Sequence, residues 1–74
     1  MAVVEVSGIL TGMAHKDSRN LMEIEVAPYD GSAARRFALH RSRCVVTPAP
    51  EWVGQPVFVR ALDTIVLELV MQVA

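Results

Sequence analysis

The 74-residue sequence has few of the residues that cross-link a small domain or that form catalytic motifs. A single cysteine excludes an intramolecular disulfide, and the four scattered glycines provide no glycine-rich loop for a phosphate group. Neither a Gly-x-Ser-x-Gly motif nor a pair of carboxylates at a catalytic spacing is present. We therefore predict a protein that is not an enzyme, with no catalytic residues and no cofactor.

Long apolar runs are also missing. The most apolar stretch, TIVLELVMQVA, is interrupted by Glu68 and Gln72 and is shorter than the roughly 20 residues that a membrane-spanning helix needs. The start of the chain, MAVVE, carries an acid where a secretion signal needs basic residues. Together with the single cysteine, these features predict a cytoplasmic protein without membrane association, folded as one domain over residues 1–74.

Metal ligands are scarce as well. The chain has two histidines and one cysteine, and only His40 and Cys44 lie close together, with His15 distant from both. A structural zinc site needs about four ligands, normally arranged as two close pairs. We therefore predict no metal site, and we expect Cys44 to be a buried thiol beside Val45 and Val46.

Apolar residues, by contrast, make up 53% of the chain, and many of them recur at every second position. This alternation, rich in valine, predicts an all-β protein. Residues 11–20 form an expected loop, and the expected strands cover residues 2–10, 21–26, 35–40, 57–62 and 65–72. Gly8 marks a bulge or bend in the first strand. Pro50 and Gly54 bound one expected helical turn, which places Trp52 at one end of a small five-stranded barrel.

The second and third strands are expected to form a hairpin. An Asp-Gly pair at residues 30–31, flanked by alternating apolar residues, is the strongest hairpin signal in the chain. A two-residue type I′ turn there places Ile24 opposite Phe37 on an apolar face. It also places Glu25 opposite Arg36 on the other face, so that both faces are chemically consistent.

The fourth and fifth strands form a second expected hairpin, with a turn over residues 63–65. This turn places Arg60 opposite Glu68 and Val59 opposite Leu69. The inward side chains are then Val57, Val59, Ala61, Leu67, Leu69 and Met71. The outward side chains include four further apolar residues, Phe58, Leu62, Val66 and Val70.

An outward apolar face on so short a chain is typical of a protein contact, because little other protein is present to cover it. We therefore predict a non-catalytic interaction module that forms a homo-oligomer through its fourth and fifth strands or binds another protein. The predicted interface residues are Phe58, Leu62, Val66 and Val70.

Three strands, a helical turn and two further strands follow one another in the order of the OB-fold. The passage WVGQPVFVRAL resembles the passage from the helical plug to the fourth strand of that fold. An SH3-like barrel is the structural alternative. The OB-like order implies a ligand platform on the outer surface of the second and third strands and on the loop after the first strand.

This platform is the basis of an alternative function, the binding of single-stranded nucleic acid. Although the formal net charge of the chain is −1, residues 31–50 contain four arginines and no acid. The expected contact residues are Lys16, Arg19, Arg36, His40, Arg41 and Arg43. Few aromatic residues are present to stack on bases, and Glu25 is expected to neutralise Arg36, so nucleic acid ranks second. A small-ligand site at the barrel mouth ranks third.

Overall fold

The computed structural model describes residues 2–15, 21–40 and 48–72, and these form an all-β ring. The elements are β1 (Val3–His15), β2 (Leu21–Pro28), β3 (Arg35–His40), a short 3-10 helix (Pro50–Trp52), β4 (Pro56–Leu62) and β5 (Ile65–Met71). The sheet closes in the order β1-β2-β3-β5-β4, with β1 next to β4. The all-β class, the five strands and the helical turn between the third and fourth strands are therefore confirmed.

Alternate side chains of the five strands point inward and fill the ring. This arrangement follows from the strand period of two, which places every second side chain on the same face. Among the described residues, no polar or charged side chain is buried in this core. The core residues are Val6, Leu10, Met22, Ile24, Val26, Phe37, Leu39, Val57, Val59, Ala61, Val66 and Leu69.

The hairpin of β2 and β3 has the predicted register. Its facing pairs include Met22 with Leu39, Ile24 with Phe37 and Glu25 with Arg36. The turn, however, is wider than the predicted two-residue type I′ turn, because residues 29–34 lie outside both strands.

The turn of this hairpin is closed by local hydrogen bonds. The Gly31 N–H donates to the carbonyl oxygen of Pro28 over 3.4 Å, so that residues 29 and 30 are its central positions. The Ser32 N–H donates to the Asp30 carboxylate over 2.9 Å, which stabilises the wider loop. Gly31 has a φ of 83°, as predicted for this glycine, although the turn type that was expected is wrong.

β1 is longer than predicted and pairs with two neighbours. Gly8 lies opposite Pro28 of β2 and also opposite Val57 of β4. The irregularity expected at Gly8 lies instead between Leu10 and Gly12, where the register with β2 shifts by one residue. After this bulge β1 continues to pair with β2, so residues 11–15 are strand and not the predicted loop.

The hairpin of β4 and β5 contains a bulge that the sequence does not reveal. Arg60 faces Glu68 and Val59 faces Leu69, as predicted. Closer to the turn, Leu62 faces Ile65, so the turn consists of residues 63–64 alone. The turn is thus one residue shorter than expected, and β5 has one extra residue at the register shift beside Arg60.

This bulge exchanges the sides of two neighbouring residues. Val66 pairs with Ala61 and is fully buried, whereas Leu67 is 44% exposed. The predictions that Val66 points outward and that Leu67 points inward are therefore wrong. The reason is that a single extra residue in a strand reverses the facing of the residues on one side of it.

The 3-10 helix lies against β1 and the core. Pro50 occupies its first turn, and Trp52 is half-buried and packs against the core residues, in agreement with the predicted plug. The N–H of Gly54 donates to the Leu10 carbonyl oxygen over 2.7 Å. The Leu10 N–H donates to the backbone carbonyl oxygen of Gln55 over 3.0 Å. These two hydrogen bonds fix the segment that follows the helix to the middle of β1.

Candidate interaction surface

Outward apolar side chains gather on one side of the ring, which we call the β4–β5 face. It consists of Phe58, Leu62, Ile65, Leu67 and Val70. Cross-strand pairing aligns these residues in rows, because Phe58 faces Val70 and Leu62 faces Ile65. The opposite side of the same two strands supplies part of the core, so this hairpin is apolar on both sides. The core residues that it supplies are Val57, Val59, Ala61, Val66 and Leu69.

β1 extends this apolar surface on the far side of β4. Val3 faces Leu62, and its side chain is more than half exposed. Six large apolar side chains are exposed in the described part of the chain: Val3, Tyr29, Val53, Ile65, Leu67 and Val70. Four of these six therefore lie on or beside the β4–β5 face, and the other two lie in the segments that precede β3 and β4.

A row of charges crosses the middle of this apolar surface. Glu5, Arg60 and Glu68 are consecutive cross-strand neighbours on β1, β4 and β5. The Arg60 guanidinium donates to the Glu5 carboxylate through Nη2 over 3.2 Å and through Nε over 3.3 Å. Within the described residues, Glu68 makes no ion pair, although it lies directly opposite Arg60. Over the residues that the structure describes, the row therefore contains one carboxylate with an ion pair and one without.

Three of the four predicted interface residues lie on this face. Phe58 and Leu62 are half-buried and Val70 is 46% exposed, whereas Val66 belongs to the core. Sequence reasoning missed Ile65, Leu67 and Val3. The first two depend on the bulge in β5, and the third depends on the pairing of β1 with β4. The run IVLELV, apolar at neighbouring positions, is the one signal compatible with a bulge.

The outer surface of β2 and β3, the predicted nucleic-acid platform, has mixed charge. The Arg36 guanidinium lies 3.4 Å from the Glu25 carboxylate, which confirms the predicted pair. The Thr11 hydroxyl, on the bulge of β1, also donates to this carboxylate over 3.0 Å. A groove of about 250 Å³ beside this pair is lined in part by Glu23 and Glu25. Acidic side chains therefore accompany Arg36, the one predicted contact arginine within the residues that the structure describes.

The other predicted nucleic-acid contacts are only partly described. His40 ends β3, is half-buried and faces Leu21. The remaining predicted contacts and the predicted buried thiol lie outside the described residues; they are Lys16, Arg19, Arg41, Arg43 and Cys44. In the described ranges, no group of three or more His, Cys, Asp or Glu side chains is placed to hold a metal ion.

Two further cavities lie elsewhere on the ring, and one of them reaches Glu5 of the charged row. One, of about 300 Å³, adjoins the β2–β3 turn and is lined by polar residues that include Asp30, Ser32 and Arg35. The Ser32 hydroxyl, the Ser32 N–H and the nearby Arg35 lower the pKa of the Asp30 carboxyl. The other cavity, of about 210 Å³, is mainly apolar and is lined by Met13, Ala14, Met22, Pro50 and Val53.

Comparisons of this chain with protein-family models, with curated proteins and with solved structures find no match. Over residues 2–15, 21–40 and 48–72, no helix is long and apolar enough to cross a membrane. Function is therefore inferred from the chemistry of the surface itself.

Proposed function

We propose that this protein is a non-catalytic interaction module that associates with a second copy of itself through the β4–β5 face. The observation that carries this proposal is the concentration of exposed apolar side chains on a hairpin that already supplies the core from its other side. Exposed apolar residues scattered singly are normal on a protein surface, whereas a contiguous patch usually marks a contact. Here the apolar residues are not scattered singly: they face one another across adjacent strands and flank a single row of charges.

The size of the face indicates a weak, reversible association. Two neighbouring strands spaced about 4.8 Å apart offer a contact of only a few hundred Å² for each partner. A stable complex normally buries about 800 Å² for each partner. We therefore expect a dissociation constant in the micromolar range, roughly 10–100 µM.

Two valines of similar exposure provide a matched test of the interface. Val70 on the face is 46% exposed, and Val53 beside the 3-10 helix is 44% exposed. We expect Val70→Glu to raise the dissociation constant of the dimer at least about tenfold, because a carboxylate would lose its hydration in an apolar contact. Val53→Glu introduces the same charge elsewhere and should leave the constant unchanged.

Sedimentation equilibrium over about 10–500 µM, a range that brackets the expected constant, measures this difference. The mean mass of the unmodified chain should rise with concentration above the 8.1 kDa of one copy. A constant mass of one copy over the whole range would contradict self-association. Equal effects of the two valine substitutions would contradict the assignment of the interface to the β4–β5 face.

The proposal also includes an OB-like arrangement of the ring and a cytoplasmic location. The strand order and the position of the 3-10 helix support the first, and the single cysteine supports the second. It does not include nucleic acid as the main ligand, because Glu25 pairs with Arg36 and Glu23 lines the same groove. Carboxylates at these positions repel the phosphate backbone that a nucleic-acid surface attracts.

A further inference from the structure

The charged row on the β4–β5 face specifies how two copies would meet. Building on the proposed self-association, we infer that the dimer has a twofold axis parallel to β4 and β5 and midway between them, with Arg60 of each copy against Glu68 of the other. The occupant of the face is thus a second copy of this chain. The two reciprocal ion pairs are the contacts that set its orientation.

The symmetry follows from the observed register. A twofold axis of this kind lays β4 of one copy over β5 of the other and keeps each residue at the same height along the strands. Each residue of β4 then meets, on the other copy, the residue that it already faces within its own chain. Apolar residues meet apolar residues in the outer two rows, which pair Phe58 with Val70 and Leu62 with Ile65.

The middle row selects this axis over the axis at right angles to it. An axis running across the strands through the middle row would bring Arg60 against the Arg60 of the other copy and Glu68 against the other Glu68. Like charges placed directly together are unfavourable at an interface. The axis parallel to the strands replaces both repulsions with attractions, and the surface is then complementary to itself.

The unpaired carboxylate is the second observation in favour of this arrangement. Glu68 is exposed among the apolar side chains of Leu67 and Val70, and within the described residues it has no ion pair. Arg60 directs its guanidinium to Glu5 on the opposite side. A guanidinium carries five N–H donors, so Arg60 has donors left for a second carboxylate from another copy. The middle row also lies where the twist between two packed sheets displaces residues least.

A charge exchange tests the arrangement directly. Glu68→Arg places two arginines together at each of the two contacts and should raise the dissociation constant at least about tenfold. The double variant Arg60→Glu with Glu68→Arg restores opposite charges across the twofold axis, and its constant should return to within about threefold of the unmodified value. Glu51→Arg, the same charge change on the exposed 3-10 helix, is the control and should have no effect.

Sedimentation equilibrium gives the constants, and tryptophan fluorescence and thermal melting confirm that each variant is folded. A double variant that remains as weak as Glu68→Arg would overturn the twofold arrangement, even if Val70→Glu still disrupts the dimer. Failure of the unmodified chain to associate would instead overturn the proposed function. Should the double variant not fold, Glu68→Gln provides the second test: it should weaken the dimer and reduce its dependence on salt, and an unchanged constant would contradict the inference.

Discussion

At the scale of single residues, Gly8 has the most demanding environment of the described glycines. It faces both β2 and β4, and a Cβ atom built on it would lie 2.8 Å from the carbonyl carbon of Ala27 and 2.9 Å from the Cα of Pro28. Both of these atoms belong to the backbone of β2, so no side-chain rotation can relieve the overlap. Gly8 therefore permits the close approach of the end of β2 to β1.

Gly8→Ala should lower the free energy of unfolding by about 2 kcal/mol or more, because β2 would have to move away from β1. Gly12 lies on the same strand, and a Cβ atom there would meet only the Cβ of Glu25 at an ordinary 3.8 Å. Gly12→Ala should therefore change the stability by less than about 0.5 kcal/mol. Chemical denaturation of the two variants gives both values, and similar losses would contradict the close approach at Gly8.

At the scale of strands and hairpins, the alternation of apolar residues is enough to predict the five strands. A hairpin centred on the Asp-Gly pair has the observed register of β2 and β3, although its turn is wider than predicted. The same pattern fails in β5, where apolar residues occupy neighbouring positions in IVLELV. A bulge there changes no local residue preference, and only the fit of Val66 into the ring reveals it.

The pairing of β1 with β4 is equally hidden, because their residues are far apart in the chain and no turn connects them. Alternation can show that each strand has an apolar side, but it cannot show which strands are neighbours. The outward patch was therefore predicted on two strands, while its extension through Val3 and its charged row with Glu5 required the structure. Phe58, Leu62 and Val70 were predictable because the register of β4 with the far part of β5 is regular.

The bulge in β5 predicts unequal losses of stability at two neighbouring positions. Val66→Ala should lower the free energy of unfolding by about 2 kcal/mol, because it removes two methyl groups from a filled core. Leu67→Ala removes a larger part of an exposed side chain and should cost less than about 0.5 kcal/mol when it is measured on the monomer. Denaturation at low micromolar concentration, where association contributes little, compares the two. A greater loss at Leu67 would support the regular strand that the sequence suggests.

At the scale of the whole molecule, the small core and the apolar surface have a common explanation. A chain of this length buries only about 60% of the surface that its unfolded form exposes, and it gains stability from any partner that binds the folded state alone. β4 joins the strand at the start of the ring to the strand at its end, since β1 and β5 both pair with it. Contact with a second copy through the β4–β5 face would therefore stabilise the folded ring.

The central claim is that two copies meet through the β4–β5 face, and an isotope-filtered nuclear Overhauser experiment tests it most directly. In a mixture of labelled and unlabelled chains, this experiment detects only protons of different copies that lie close together. We predict contacts between the ring of Phe58 in one copy and the methyl groups of Val70 in the other. A dimer whose contacts between copies arise only from Tyr29 or Val53, or a chain with no such contacts at any concentration, would contradict the account.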